Sequence, residues 1–197
     1  MRDRTTPGRP REFDDTEMLR KIMRLFWKNG FEGVSLSMIM KETELQKASL
    51  YAAFGDKRSM YLKALGQYHD DIVSAAALAL KDDTVPAKQR IEAFINAPLT
   101  AAQKNDRSGC FLCNASADQS DLDPTTKTQV SVGFDLLTSA LTSALRDAHP
   151  DLSPDDIAAR AKALLAVYVG FRILARSDVA IDGLERAASN VSTWVHT

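Results

Sequence analysis

Cysteine is almost missing from this chain: Cys110 and Cys113 are the only two among 197 residues. A pair three positions apart supplies neither a disulfide framework nor the four ligands of a structural zinc site, so a reducing compartment suits the chain. No segment stays apolar for the roughly eighteen residues that a bilayer span demands, and Met1-Arg2-Asp3-Arg4-Thr5-Thr6-Pro7 lacks the apolar core of a signal peptide. The expectation is a soluble, cytoplasmic protein with no membrane partner. The three histidines, His69, His149 and His196, stand alone without metal-ligand spacing, so neither a metal nor a cofactor is expected. Also lacking are a Gly-rich phosphate loop, a Gly-x-Ser-x-Gly elbow, a His/Glu metal pair and any strand-like alternation. The enzyme classes that depend on those features are excluded, and no enzymatic activity is expected.

Charge of one sign is lacking overall, with 25 Lys/Arg against 26 Asp/Glu and a net charge of −1. The distribution is uneven: residues 1–58 carry +3 and residues 59–197 carry −4. A basic front and acidic rear turn the front toward phosphates. Residues 1–12 hold Arg2, Arg4, Arg9 and Arg11 among Pro7, Gly8 and Pro10, a composition too polar and too broken to pack. This reads as a flexible basic arm of the kind that can enter a minor groove.

What the chain has in quantity is helical periodicity. Asp14 with Glu17 resembles a capping box, Leu19, Ile22, Met23 and Phe26 form an apolar stripe, and Asn29-Gly30 ends it. Ser35 caps a shorter helix with Leu36, Ile39 and Met40 on its apolar face, and Thr43-Glu44-Leu45 turns into a third that begins at Gln46. Gly55-Asp56 interrupts that one and starts a fourth, running through Met60, Tyr61, Leu65 and Tyr68 toward Leu80 without a flexible linker. Pro86, Pro124 and Ser153-Pro154 open further helices, and a last one is expected to follow Asp182-Gly183. The fold class is therefore all-α: a three-helix N-terminal helix-turn-helix domain plus a C-terminal helical bundle, about nine helices in all. The expected division is an arm at 1–12, a DNA-binding domain at 13–57 and a self-associating helical domain at 58–197. The run Ala163 to Val169 is apolar all round and must be covered on every side, which points to self-association through helices near 154–175 and 184–195, the alternative being a central core helix.

In Phe26 with Gly30-Phe31, Val34-Ser35, Ile39, and Ser49-Leu50-Tyr51 with Phe54 and Lys57, the front of the chain resembles the TetR family of transcriptional regulators. The resemblance covers residues 9–65; the rear agrees only in helical organisation and length. It implies an Ω-shaped homodimer whose heads occupy successive major grooves of a near-palindromic double-stranded DNA operator and separate when a small-molecule effector binds the rear bundle. It also implies a role for individual positions: Ser35 donating to a phosphate, Gln46 and Lys47 opening the recognition helix, Ala48 against a thymine methyl, Tyr51 and Lys57 on phosphates, and Arg9 and Arg11 in the arm. Two departures stand out. Ala52 and Ala53 replace longer side chains, and Glu44 takes the place of a small residue in the turn.

Ser108-Gly109-Cys110-Phe111-Leu112-Cys113-Asn114 is similar to a Gly-Cys-x-x-x-Asn segment of a subset of that family, some of whose members sense electrophiles or oxidants. On a helix the two thiols share a face, and a helix N-terminus beside Arg107 favours the thiolate. The same residues also suit an apolar core, where free cysteine is usually found. The candidate effector site comprises Tyr68, Phe94, Cys110, Phe111, Cys113, Asn114, Phe134, Tyr168 and Phe171, an apolar lining with a few polar groups, to which His69 is adjacent. The competing reading from another class is an all-helical thiol oxidoreductase using Cys110 and Cys113. Redox Cys-x-x-Cys pairs normally accompany a strand-helix pattern that the sequence does not show.

Overall fold

The computed structural model describes residues 13–118, 123–177 and 181–196, and every regular element among them is helical. Helix α1 (Asp15–Asn29) begins where the sequence placed it: the Asp14 carboxylate accepts from the N–H groups of Thr16 and Glu17 at 2.8 and 3.4 Å. Its interior stripe is Met18, Ile22, Met23 and Phe26, with Leu19 only half-buried, so the buried face starts one residue earlier than the periodicity suggested. Ser35 caps α2 (Leu36–Thr43) by accepting from Met38 N at 3.2 Å, and α3 (Lys47–Phe54) follows after a three-residue turn. Gly30 and Gly55, at φ 71° and 82°, end α1 and α3.

Asp56 accepts from Ser59 N at 2.7 Å and starts α4 (Lys57–Tyr68), which continues through a π-helical turn at His69–Val73 into α5 (Ser74–Lys81). The rear comprises α6 (Ala87–Gln103), α7 (Phe111–Asp118), α8 (Pro124–Ala148), α9 (Pro154–Arg176) and α10 (Ile181–His196). With the α4–α5 rod taken as one, nine helices lie among the described residues. Two starts differ from expectation. Pro86 is the residue before α6 rather than inside it, and α10 starts at Ile181, so Asp182 and Gly183 lie within its first turn. First-turn N–H groups need no acceptor within the helix, and a carboxylate is favoured there, so neither residue has to stop the helix.

Helix α1 packs along α4, and α6 lies between α5, α8, α9 and α10. Phe26 is completely buried, edge-on to Tyr61 with ring centres 5.2 Å apart, and Phe31 meets the same Tyr61 at 5.2 Å. Arg20 on α1 grips Asp71 in the π turn through two bonds, Nε–Oδ2 at 2.7 Å and Nη2–Oδ1 at 3.0 Å, and holds that carboxyl below the usual range. Arg58 reaches Asp123 at the start of α8. Helix α4, behind the expected boundary at residues 57 and 58, therefore packs on α1 and α3 as well as on α7 and α8.

Candidate nucleic-acid interface

Helix α3 has two faces of different chemistry. Leu50 and Phe54, four residues apart, are buried at 0% and 3% exposure and anchor it to the head. Gln46, Lys47, Ala48 and Ser49 at its amino end are all exposed, and Tyr51 is 41% exposed one turn further on. Lys47 Nζ stands 5.9 Å from the centre of the Tyr51 ring, so the ammonium and the phenol share one outward face. Burying an exposed tyrosine and lysine costs less when a partner takes up their polar tips, and a duplex groove offers phosphate oxygens and base edges for that purpose.

The neighbouring residues complete the surface. Ser35 is exposed at the amino end of α2, and its hydroxyl also shares a 2.8 Å hydrogen bond with Ser37. Lys57, half-buried at the start of α4, lies over the Phe31 ring at 4.5 Å. Ala52 is exposed and Ala53 half-buried, so neither offers a polar contact. Arg9 and Arg11 lie outside the described residues. Two basic residues that sequence reasoning did not single out, Arg24 on α1 and Lys41 on α2, are also exposed.

Glu44 closes α2 at φ 60° and ψ 14°, the left-handed region, with its side chain exposed. The turn forms despite the residue: Thr43 Oγ1 donates to Ile39 O at 2.8 Å and accepts from Leu45 N at 3.4 Å, which fixes the reversal from inside. An L-residue held there costs about 1–2 kcal/mol relative to its preferred conformations. Glu44→Gly removes that strain, offset in part by glycine's larger unfolded-state entropy. The expected result is a stability gain of up to about 1 kcal/mol in urea titration, together with tighter operator binding because a carboxylate leaves the turn between α2 and α3. Unchanged affinity would place Glu44 away from the phosphates.

The residues expected to line an effector site do not form one cluster. Tyr68, Cys110, Tyr168 and Phe94 come together: the Tyr68 hydroxyl donates to Cys110 Sγ at 3.7 Å, and Phe94 stacks on Tyr168 at 4.2 Å between ring centres. Phe171 is buried one turn along α9 from Tyr168. Phe111 is core, edge-on to both Tyr61 and Tyr68 at 5.6 and 5.7 Å. Phe134 sits apart on α8, lining a groove of about 370 Å³ with Ala115, Thr126, Lys127 and Val130. Asn114 spends its amide on the backbone, donating to Trp27 O at 3.0 Å and to Ser108 O at 3.3 Å.

Cys110 is not on the helix with Cys113 but just ahead of it, in the capping position, since Asn114 N donates to Cys110 O at 2.9 Å. The Cys113 thiol, the N–H of Cys113 and the Tyr68 hydroxyl all face the Cys110 sulfur. Together with the Arg172 cation they hold its pKa below that of an ordinary thiol, although burial opposes them. Cys113 is pushed the other way by its neighbour Cys110 and by burial. Arg172, which sequence reasoning missed, donates from Nε to the Tyr168 hydroxyl at 3.0 Å. The only signal available was its spacing of four from Tyr168. Among the described residues no group of three or more His, Cys, Asp or Glu side chains is placed to hold a metal ion, and no helix is long and apolar enough to cross a membrane.

Residues 18–64 match the model of the family described as bacterial regulatory proteins, tetR family. The chain is 27% identical over 194 residues to the HTH-type transcriptional repressor ComR of Escherichia coli, covering 95% of this chain and 91% of that one. The fold is similar to the crystal structure of E. coli NemR in its reduced form, with a TM-score of 0.78 at 24% identity over 91% of this chain and 95% of that one. It is equally similar to a cysteine mutant of the TetR-family regulator CifR complexed with 26-base-pair operator DNA, with a TM-score of 0.78 at 24% identity over 94% and 98% of the two chains. The thiol-oxidoreductase alternative finds no support: the relatives named are regulators, and the strand-helix setting of such enzymes has no counterpart among the described residues.

Proposed function

Because the chain belongs to the TetR family of bacterial regulatory proteins, we propose that it represses transcription as a cytoplasmic homodimer that grips a near-palindromic operator and lets go when an effector engages its rear bundle. The observation that carries this reading is the two-faced α3, anchored by Leu50 and Phe54 with its polar amino end free. A helix presented in this way enters a major groove amino end first. Ser35, Gln46, Lys47, Ala48, Tyr51 and Lys57 are the side chains we assign to DNA, with residues 13–57 as the reading head and 58–197 as the responding body.

Pairing of two copies is supported by α9. Its inner stripe, Ile157, Ala161, Leu164, Tyr168 and Phe171, is buried, while Ala159, Ala163, Ala166, Ile173 and Leu174 on other faces are exposed. A Cβ added at Gly170 would meet nothing within 4 Å, so a neighbouring helix can approach closely there. The first test is selection of bound sequences from a random DNA pool. A recovered motif with twofold symmetry and half-sites about 34–36 Å apart, or a multiple of that, is the expected result. An asymmetric motif, or no retained DNA, rejects the reading.

The effector reaches the DNA-binding state through the Tyr68, Cys110 and Tyr168 cluster, and a thiol-reactive compound fits its chemistry because the thiolate is the nucleophilic form. Limited iodoacetamide treatment followed by mass spectrometry should label Cys110 before Cys113. The rate should be half-maximal below the pH of about 8.5 at which free cysteine ionises. Labelling of Cys113 first would remove Cys110 as the reactive group.

A further inference from the structure

The last turn of α1 leaves backbone carbonyls without partners inside the helix, as every helix end does. Here two of them are taken by side chains from distant parts of the body. Asn114 on α7 donates to Trp27 O at 3.0 Å, and Arg176 at the end of α9 donates from Nη2 to Lys28 O at 3.2 Å. The same two side chains also converge on a third carbonyl, Ser108 O, at 3.3 Å from Asn114 and 3.2 Å from Arg176 Nη1. One residue later, a Cβ added at Gly109 would lie 3.4 Å from Arg176 Cδ and 3.5 Å from Arg172 O, so the loop rests directly on α9. The next residue is Cys110.

We infer that Asn114 and Arg176 form a clasp that couples the Ser108–Cys110 loop to the orientation of the DNA-binding head. The inference rests on the regulator reading above and adds the residues that carry the signal. Three elements meet at one point: α1, which holds the head; α7, which starts at the thiols; and α9, whose outward face suits a second copy. The clasp gives the spacing of Cys110 and Asn114 a physical meaning. The backbone N–H of Asn114 closes the first turn of α7 on Cys110 O, so any movement of the cysteine backbone shifts the residue that holds Trp27 O. Trp27 reinforces the joint from its side chain, with its indole edge-on to Tyr68 at 4.9 Å, and the Tyr68 hydroxyl meets Cys110 Sγ. Asn114 lies on α7 and Arg176 on α9, and the acceptors of both belong to α1 and to the loop before α7. Both are positioning residues that act through α1.

Coupling between two sites is reciprocal in equilibrium free energy, so DNA held by the head must shift the opening equilibrium of the loop by the same factor by which that opening alters DNA affinity. Cys110 is buried and reacts through local opening of its segment, so its rate of modification reports that opening. The experiment measures iodoacetamide modification of Cys110 by mass spectrometry, with and without saturating duplex recovered by selection on the wild-type protein. Retardation of the same duplex is recorded in parallel. In wild type, DNA is expected to slow the reaction at least about fivefold, the lower end of typical coupling.

In Asn114→Ala combined with Arg176→Met, the rate should be the same with and without DNA, while circular dichroism shows unchanged helix content. Arg176→Lys retains a cation able to reach one carbonyl and should keep part of the slowing, which separates coupling from generic loosening of the fold. Failure of the duplex to be retarded by wild type defeats the regulator reading and the clasp with it. Retardation without any change in the Cys110 rate defeats the clasp alone, as does full protection in the double variant. If the double variant loses helix content, Arg176→Lys and Asn114→Asp decide: the carboxylate of Asp offers no donor to Trp27 O, so wild-type protection in Asn114→Asp overturns the proposal.

Discussion

Phe26→Ala is expected to lower the free energy of unfolding by about 3–5 kcal/mol, the range for emptying a fully buried aromatic site. Phe26 has no exposed surface and meets Tyr61 edge-on at 5.2 Å and Phe31 nearly parallel at 6.3 Å, so the substitution forfeits two ring contacts as well as buried area. Collapse of the surroundings would soften the loss, but α1 and α4 are poorly placed to close in. The Arg20–Asp71 pair fixes α1 against the rod on one side, and Asn114 and Arg176 hold its carboxyl end on the other. Urea titration at fixed protein concentration reads the effect, since self-association makes stability depend on concentration. Phe26→Leu retains most of the volume and should cost under about 1.5 kcal/mol. A loss below about 1 kcal/mol for the alanine variant would mean that the head closes around the cavity, and that α1 is held less firmly than these contacts indicate.

The stability of the head bears directly on function because α3 is short. Eight residues cannot hold a helix alone in water, so its geometry comes from Leu50 and Phe54 seated in the same core as Phe26. That dependence explains why the head was legible in the sequence. Its buried positions recur at helical spacing, and its ends carry residues with specific capping roles: Asp14, Ser35 and Asp56 accept from the first-turn N–H groups that the pattern assigned to them. Patterns of this kind are local, and local patterns can be read from one chain.

What escaped the sequence was non-local or involved the backbone. The clasp joins Asn114 to Trp27 across 87 positions and Arg176 to Lys28 across 148, and its acceptors are main-chain carbonyls, which every residue possesses. On composition Asn114 reads as an effector-site residue, and nothing in the sequence marks its amide as engaged elsewhere. Phe134 groups with Tyr68 and Tyr168 on composition, whereas α8 carries it to a different groove. The π turn at His69–Val73 inserts one residue, so the buried stripe steps by five from Tyr68 to Val73; with Ile72 and Val73 adjacent and both apolar, the sequence does not mark which of them faces inward. Asp71, which Arg20 binds, lies inside that turn, so a feature invisible to periodicity fixes one of the links between head and body.

Lys47→Ala is expected to weaken operator binding by about 1–3 kcal/mol if the ammonium reads a base, and the loss should fall on one operator position. A phosphate contact instead predicts a uniform loss across sequences and a salt dependence shallower by about one unit in log–log slope. Titrating wild type and variant at several salt concentrations on the selected duplex and on single-base variants of it distinguishes the two. Tyr51→Phe removes only a hydroxyl, so its expected cost is that of one hydrogen bond to a charged acceptor, about 1.5–3 kcal/mol. Neither substitution should lower helix content, because both side chains project from the exposed face of α3 while Leu50 and Phe54 retain its anchorage. The Lys47 ammonium stands 5.9 Å from the Tyr51 ring, close enough for the two effects to be non-additive, and the double variant should lose less than the sum of the single losses. If both variants bind the selected duplex as wild type does at matched salt, α3 is not the helix that reads DNA, and the exposure of its amino end serves some other contact.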